Sequence, residues 1–517
     1  MGCHICLIRC TIVYQLHMMI GNVNKIGYLV YRRLFGFSSR TTVNILLGIV
    51  IVAFVTRFIL SVTKAPWLDE TTLYVLSKTY TFKGLFFYYH WDKAHPFLMY
   101  WMTRATLLIF HNNFLHIEFL RIFSVIVSTF SVLSVYIFVR KMLSEKSALI
   151  FSVWFSFCYI NVLMGFLYRP YALLQMLFPL AGLVFFQKNW NSWPKIVLVN
   201  GLFSLMFFWD YASVYFFITY FLYIALYSLQ KRIIFRSLIP FFLIVLWWAP
   251  RFLNQAIVTK DIMQNYQNEF IPTFLRLIGV NASISESPIG VFIFAVTLII
   301  IIANVMYQRT KKLTPYTFLS TVGLLLYIGV ALIDRFFIKI LVDHHLIFLN
   351  FLLLLSFTPL LIHPKFGRLY GIGISIFICI NSSSILFSPW IGKTFVSVNP
   401  PTNPVSGRTL FITYDDQYTD YPVKYNLLSK GYSMEDNNEK KYLNGQLQLE
   451  FDFCTLKHTC MQKDIPSYDH IIFLSEGERL YSQRQQEEIL RVCDIFQDYA
   501  YSISHAKKVA YHAIICR

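Results

Sequence analysis

Charged side chains are scarce in this chain: Asp, Glu, Lys and Arg make up 14% of its 517 residues, where a soluble domain carries about 25%. That shortage excludes a water-facing surface over most of the length. Acidic residues are the scarcer sign, 27 against 45 basic ones, which leaves a formal charge of +18. In a soluble protein such an excess points to nucleic acid. Here most Lys and Arg fall in short clusters between apolar runs, the pattern of cytoplasmic loops, so no nucleic-acid partner is expected. Internal repeats are missing, which removes support for an inverted-repeat transporter. Cys3, Cys6 and Cys10 with His4 form a metal-like spacing but lack the second ligand pair of a zinc site. No cleavable signal peptide is read. Met18 and Met19 are alternative starts, and the first span serves as a signal anchor.

What the chain has instead is apolar length, with 56% hydrophobic residues arranged in runs at 42–63, 120–139, 147–166, 289–307 and 345–362. A hydrocarbon core needs about 20 apolar residues of helix, so each run can span. Six basic clusters set the orientation: Arg32-Arg33 with Arg40, Arg140-Lys141 with Lys146, Lys188 to Lys195, Lys231-Arg232 with Arg236, Arg309 with Lys311-Lys312, and Lys365 with Arg368. If all are cytoplasmic, spans at 42–63, 120–139, 147–166, 172–187, 196–209, 213–230, 237–250, 289–307, 316–333, 345–362 and 369–388 give about eleven helices, N-terminus in and C-terminus out. The stretch 96–110 is too short and too interrupted to cross. Residues 64–119 therefore read as one large external loop carrying amphipathic helices on the membrane surface.

The expected architecture is an all-α polytopic membrane domain over 42–388, preceded by a cytoplasmic segment at 1–41 and followed by a small α+β extracytoplasmic domain at 389–517. The last begins with the linker Asn399-Pro400-Pro401-Thr402-Asn403-Pro404. Thr409–Tyr414 and His470–Leu474 read as strands, and 484–496 has helical period. Cys454, Cys460, Cys493 and Cys516 all lie in this part, as two bridges or as four free thiols. No external loop of the membrane domain has a D-x-D pair, and Asp415-Asp416 is distal, so no cofactor is expected, a divalent metal being left open.

Charged and polar groups gather at the external ends of the spans: Asp69 and Glu70 after the first, Lys93 and His95 later in the same loop, and Tyr168-Arg169-Pro170-Tyr171 between the third and fourth. Asp210-Tyr211 lies between the fifth and sixth, and Asp343-His344-His345 opens the tenth. The order Trp67-x-Asp69-Glu70, His95-Pro96, Arg169-Pro170-Tyr171 resembles the GT-C membrane glycosyltransferases, in the branch of the protein O-mannosyltransferases and aminoarabinose–lipid A transferases. Leu120-Arg121-Ile122-Phe123-Ser124 and Asp210-Tyr211 resemble that branch's junctions, and the likeness covers residues 42–230. The chain departs from the branch at His95-Pro96-Phe97, where H-P-P or K-P-P is usual. It departs again at His344-His345, where an Arg-Tyr pair is usual.

The resemblance implies transfer of a monosaccharide, with inversion, from a polyprenyl-phosphate carrier to a protein, lipid or glycan acceptor. Inverting transfer needs a base for the acceptor hydroxyl, and Asp69 suits it, with Glu70 orienting Asp69 or binding the acceptor. A leaving phosphate needs cationic stabilisation more than an acid. Arg169, Lys93 and His95 are the candidates, Arg169 foremost for its planar fork. Tyr171, Asp210, His344 and His345 complete the candidate substrate contacts. Each has a plainer competitor: Asp69-Glu70 as a helix cap, Arg169 as a snorkelling side chain, His95 as a helix-start residue, and His344-His345 as solvated interfacial histidines. A flippase for a lipid-linked saccharide and a non-catalytic assembly protein are the rival functions. Phe, Ile and Asn usage suggests a bacterial cytoplasmic membrane with a periplasm-facing site, the endoplasmic reticulum being the alternative.

Overall fold

The computed structural model describes residues 40–64, 66–87, 96–110, 116–185, 192–227, 231–263, 270–311, 314–336, 346–358, 361 and 367–387, followed by six strands between 408 and 516. The described chain is mostly helical and rich in apolar helices, the build of an integral membrane protein. Among the described residues, three helices are long and apolar enough to cross a membrane unaided, namely Thr41–Thr63, Ile117–Met142 and Gly367–Leu386, and a bent pair at 145–166 makes a fourth if it is one span. Six shorter apolar helices accompany them.

The first helix, α1 (Arg40–Thr63), shows how such elements pack. Leu46, Ile49, Ala53, Arg57 and Leu60 are buried at helical spacing, while Ile45, Val52, Val55, Ile59 and Val62 stay exposed. An apolar outer face is ordinary where the solvent is lipid, because burial then separates close-packed from lipid-facing residues, not apolar from polar. Three short helices follow: α2 (Leu68–Thr79), α3 (Phe82–Phe87) and α4 (Leu98–Ile109). Helices were expected in this loop, but α2 does not lie open on a surface. Every residue from Glu70 to Ser77 is buried, because α2 packs against α4 and against α5 (Ile117–Met142). Arg104 of α4 donates to the carbonyls of Ser77 (3.1 Å) and Lys78 (3.2 Å) at its end.

The run at 147–166, expected as one span, is two helices, α6 (Glu145–Phe157) and α7 (Tyr159–Phe166), bent by 61° at Cys158. Neither Pro nor Gly stands at the break. The carbonyls it releases are taken by side chains instead: Asn161 Nδ2 donates to Phe155 O and Arg57 Nη2 to Ser156 O, both at 2.9 Å. Side chains inserted into the helix ladder are a recognised cause of such kinks.

The chain continues through α8 (Tyr171–Phe185), α9 (Trp193–Trp209), α10 (Ser213–Tyr227), α11 (Lys231–Ser237) and α12 (Ile239–Met263). Residues 251–288 were left without structure in the topology read from the sequence. They hold the end of α12, then α13 (Phe270–Leu277) and α14 (Ala282–Ser285). Thr273, Phe274, Leu275 and Leu277 of α13 are fully buried. Leu277 O accepts from Asn350 Nδ2, and Gly279, at φ +103°, turns the chain beside Cys158. A side chain at Gly279 would be strained there. The bundle closes with α15 (Pro288–Lys311), α16 (Thr314–Phe336), α17 (Ile347–Ser356) and α18 (Gly367–Phe387). All ten residues of α17 are buried, so this helix occupies the centre.

The C-terminal strands form one mixed sheet in the order β2-β3-β4-β1-β5-β6. β1 (Arg408–Thr413) runs parallel to both β4 (Leu449–Thr455) and β5 (His470–Glu476); β2 (Ser433–Met434) and β3 (Lys441–Asn444) extend one edge, and β6 (Tyr511–Cys516) the other. Cys454 and Cys516 sit on β4 and β6 with two strands between them. Three steps of about 4.8 Å separate those strands. The helical segment expected at 484–496 lies outside the described residues.

A close contact between α16 and α17 gives a test. A Cβ at Gly323 of α16 would lie 2.6 Å from Leu352 Cβ of α17. Gly323→Val should lower stability by about 1–3 kcal/mol through overpacking, read as a lower thermal midpoint in detergent. An unchanged midpoint would mean the two helices do not meet this closely.

Candidate functional site

The site is built from helix ends. The last carbonyls of α1 have no partner within the helix, and Arg121, one turn into α5, supplies one: its Nη1 donates to Ser61 O (3.0 Å) and Lys64 O (2.5 Å). Pro66 then prevents α1 from continuing, and Trp67, extended at φ −80° and ψ 154°, caps α2. Glu70 is the third residue of α2, from where a glutamate can reach back to the cap's backbone N–H. It does so, Trp67 N donating to its Oε2 at 2.8 Å.

Glu70 accepts three further bonds. Arg121 Nε donates to Oε1 (2.8 Å) and Nη2 to Oε2 (2.5 Å), and the backbone N–H of Tyr168 donates to Oε1 (2.6 Å). Both charged side chains are completely buried. One carboxylate thus joins the entry of α2, the second turn of α5 and the turn between α7 and α8. These four bonds make Glu70 a fastening inside the protein.

Asp69 precedes it by one residue, a rotation of about 100° around the helix, and so faces elsewhere. Its carboxylate is 35% exposed and meets Arg169, which is only 6% exposed, at 3.3 Å between Oδ2 and Nη2. Arg169 Nη1 also donates to Asp69 O at 3.3 Å. The guanidinium carbon stands 5.9 Å from the centre of the Tyr171 ring. Tyr171 is within electrostatic reach of Asp210, Arg169 and Asp69 together.

Asp210 is buried, and its Oδ1 accepts from Ala212 N at 2.6 Å, folding the turn that opens α10. Trp209 Nε1 donates to Pro170 O (2.9 Å), tying this turn to the Arg169 segment. Trp248 Nε1 donates to Tyr211 Oη (2.8 Å), and Tyr168 Oη bonds Thr103 Oγ1 of α4 (3.0 Å). Burial pushes the Tyr168 and Tyr211 hydroxyls well up from their ordinary value, so both remain neutral hydrogen-bonding groups at physiological pH. Lys64 Nζ donates to Leu386 O (3.1 Å), bringing the end of α18 to the same end of the bundle.

The structure therefore gathers Asp69, Arg169, Tyr171 and Asp210. Lys93, His95, His344 and His345 lie outside the described residues. Among the described residues, no group of three or more His, Cys, Asp or Glu side chains is placed to hold a metal ion.

Several buried or half-buried ions were not anticipated from the sequence. Arg121 stood in a motif noted only as a loop-to-helix junction. Arg57 stood in a run read as essentially uncharged. The available signal was the charge itself, because an ionisable residue inside an apolar helix needs a partner. Asp334, buried near Tyr215, and Arg251, with its guanidinium carbon 4.5 Å from the Trp248 ring and 4.6 Å from that of Phe86, were also missed.

No protein-family model matches the chain, and no curated protein matches it either. Among solved structures, that of ArnT from Cupriavidus metallidurans bound to undecaprenyl phosphate aligns over 90% of this chain and 97% of its own, at 10% identity and a TM-score of 0.35.

Removing one partner of a buried ion pair strands the other. Arg121→Met should cost about 3–5 kcal/mol, while Glu70→Gln with Arg121→Met together should recover part of that loss. Unfolding in detergent measures both. Equal losses in single and double variants would mean the two side chains are not coupled.

Proposed function

We propose that this protein is an inverting membrane glycosyltransferase that moves a monosaccharide from a polyprenyl-phosphate carrier to an acceptor at the external end of its helices. The observation that carries the reading is the Asp69–Arg169 pair: an accessible carboxylate beside a buried guanidinium, the two charges that inverting transfer from a phosphate carrier requires. The order of the motifs around them, which resembles that of the GT-C enzymes, supports the same chemistry.

Asp69 is the base that takes the acceptor hydroxyl's proton as the anomeric carbon is attacked. Its contact with Arg169, at 3.3 Å, holds the carboxylate in place. Arg169 carries five N–H donors in a planar fork and answers the charge that develops on the departing phosphate. A phosphate arriving at Arg169 competes with Asp69 for that cation. Donor binding thereby frees the carboxylate for the acceptor hydroxyl. Lys93 and His95 join the phosphate contacts in this reading. Tyr171, Asp210, His344 and His345 line the sugar or acceptor side, and Glu70 acts by holding the helix that presents Asp69. Apolar helices suit the prenyl chain. The membrane is that of a bacterial cell, with the site toward the periplasm.

A flippase would need ionisable groups along a path through the bundle. The mid-helix Arg57 is fully buried and bonded to the carbonyls of Ala53 and Ser156, which fits a fixed structural charge better than a path.

The test is sugar transfer in membranes expressing wild type, Asp69→Asn or Arg169→Lys, using a pool of radiolabelled polyprenyl-phosphate sugars. Asp69→Asn at unchanged protein level should lose at least about 100-fold in rate, the lower end of what a general base contributes. Arg169→Lys keeps the charge but loses the fork, and should transfer more slowly than wild type while outpacing Asp69→Asn. Near wild-type transfer by Asp69→Asn would remove the base from Asp69. No transfer from any donor by wild type would remove the enzyme.

A further inference from the structure

The mid-span charge, Arg57, is the strongest group the proposed chemistry leaves unused. It is 0% exposed, and no carboxylate lies within ion-pair distance of it among the described residues. A buried unpaired cation is costly, so its surroundings must offset it. They do so with the broken third span. The C-terminal end of α6 carries the negative pole of that half-helix, and Arg57 Nη2 caps it by donating to Ser156 O (2.9 Å). Nη1 is spent on Ala53 O of its own helix (3.2 Å).

Arg57 also touches the other end of the tilted half. A Cβ on Gly165 would lie 2.5 Å from Arg57 Nε and 3.0 Å from Ser128 Oγ, so the guanidinium occupies a notch left by the missing side chain. Ser128 Oγ donates to Gly165 O (2.8 Å) and closes the notch from α5. Arg57 therefore bears on Ser156, below the break, and on Gly165, close to the top of α7. Three residues beyond Gly165 comes Tyr168, whose N–H meets Glu70, and then Arg169, which meets Asp69. Eight residues of helix are about 12 Å long. Straightening a 61° bend would carry the far end of such a segment by about the same distance, far outside the reach of Asp69.

We infer that Arg57 is a positioning residue: by capping the break in the third span it sets the tilt of residues 159–166 and so holds Arg169 against Asp69. The inference concerns the pair on which the proposed transfer rests, but its test does not need transfer. Hydrogen exchange read by mass spectrometry on the full-length protein in detergent would compare wild type with Arg57→Met, Arg57→Lys and Gly165→Ala. In Arg57→Met, peptides covering 158–170 should exchange about tenfold faster or more, while those covering 117–142 and 347–356 keep their wild-type rates. Arg57→Lys retains a cation and should recover part of the protection. Gly165→Ala leaves Arg57 in the chain but fills its notch, and should loosen the same peptides.

Wild-type exchange over 158–170 in Arg57→Met would overturn the inference, as would equal acceleration in all three regions. If Arg57→Met does not accumulate, Arg57→Lys and Gly165→Ala decide by the same criteria. A wild type that transfers no sugar, with 158–170 still loosened selectively in the variants, would sink the proposed function and leave this inference standing.

Discussion

The buried pair of Glu70 and Arg121 is the interaction on which the rest of the site depends. A carboxylate removed from water is tolerable only when its lone pairs are filled and its charge is answered. Glu70 meets both conditions with donors from α2, α5 and the Tyr168 turn. Because no water can substitute for any of these donors, the three segments are held at fixed distances. Asp69 inherits its position from that arrangement, and so does Arg169, one residue past Tyr168. The neighbouring acids thus divide the work by helical phase: one is enclosed and immobile, the other half-open to the outside.

The same physical problem recurs through the bundle. A helix that ends or bends inside an apolar medium exposes carbonyls that cannot be left unmet. Arg121 answers those of Ser61 and Lys64, Arg57 and Asn161 those at the break near Cys158, Asn350 that of Leu277, and Lys64 that of Leu386. Asn200 does likewise at the joint of α11 and α12, donating to Ile196 O and Ser237 O while accepting from Phe241 N. Each of these side chains is therefore accounted for by a helix end, break or joint.

How far the sequence foretells this structure follows from the range of each interaction. Apolar length marks the helices, because a run such as 42–63 carries its signal within itself. The strands at Arg408–Thr413 and His470–Glu476 were visible for the same reason. So was β4, whose Leu449-Glu450-Phe451-Asp452-Phe453 alternates plainly and went unread. The break at Cys158 carries no Pro or Gly, and it depends on Arg57, which is 99 residues from Ser156. The burial of α2 was hidden because a polar string such as Asp69-Glu70-Thr71-Thr72 looks solvated until its partners are known. At the site, residue types at the helix ends were readable as candidates. The division of labour between Asp69 and Glu70 was not, since it is decided by Arg121 and Tyr168, 51 and 98 residues away.

Those separations also impose an order on synthesis. Glu70 enters the membrane environment with its charge unanswered until Arg121 has been made, 51 residues later, a delay of about 3–10 seconds at 5–20 residues per second. Its last bond waits for Tyr168, 98 residues later. Until then the segment that carries Asp69 cannot be locked in place. The ribosome must deliver the first third of the polypeptide before the two carboxylates acquire their different fates, and a nascent chain halted before Arg121 would hold Glu70 without its cation.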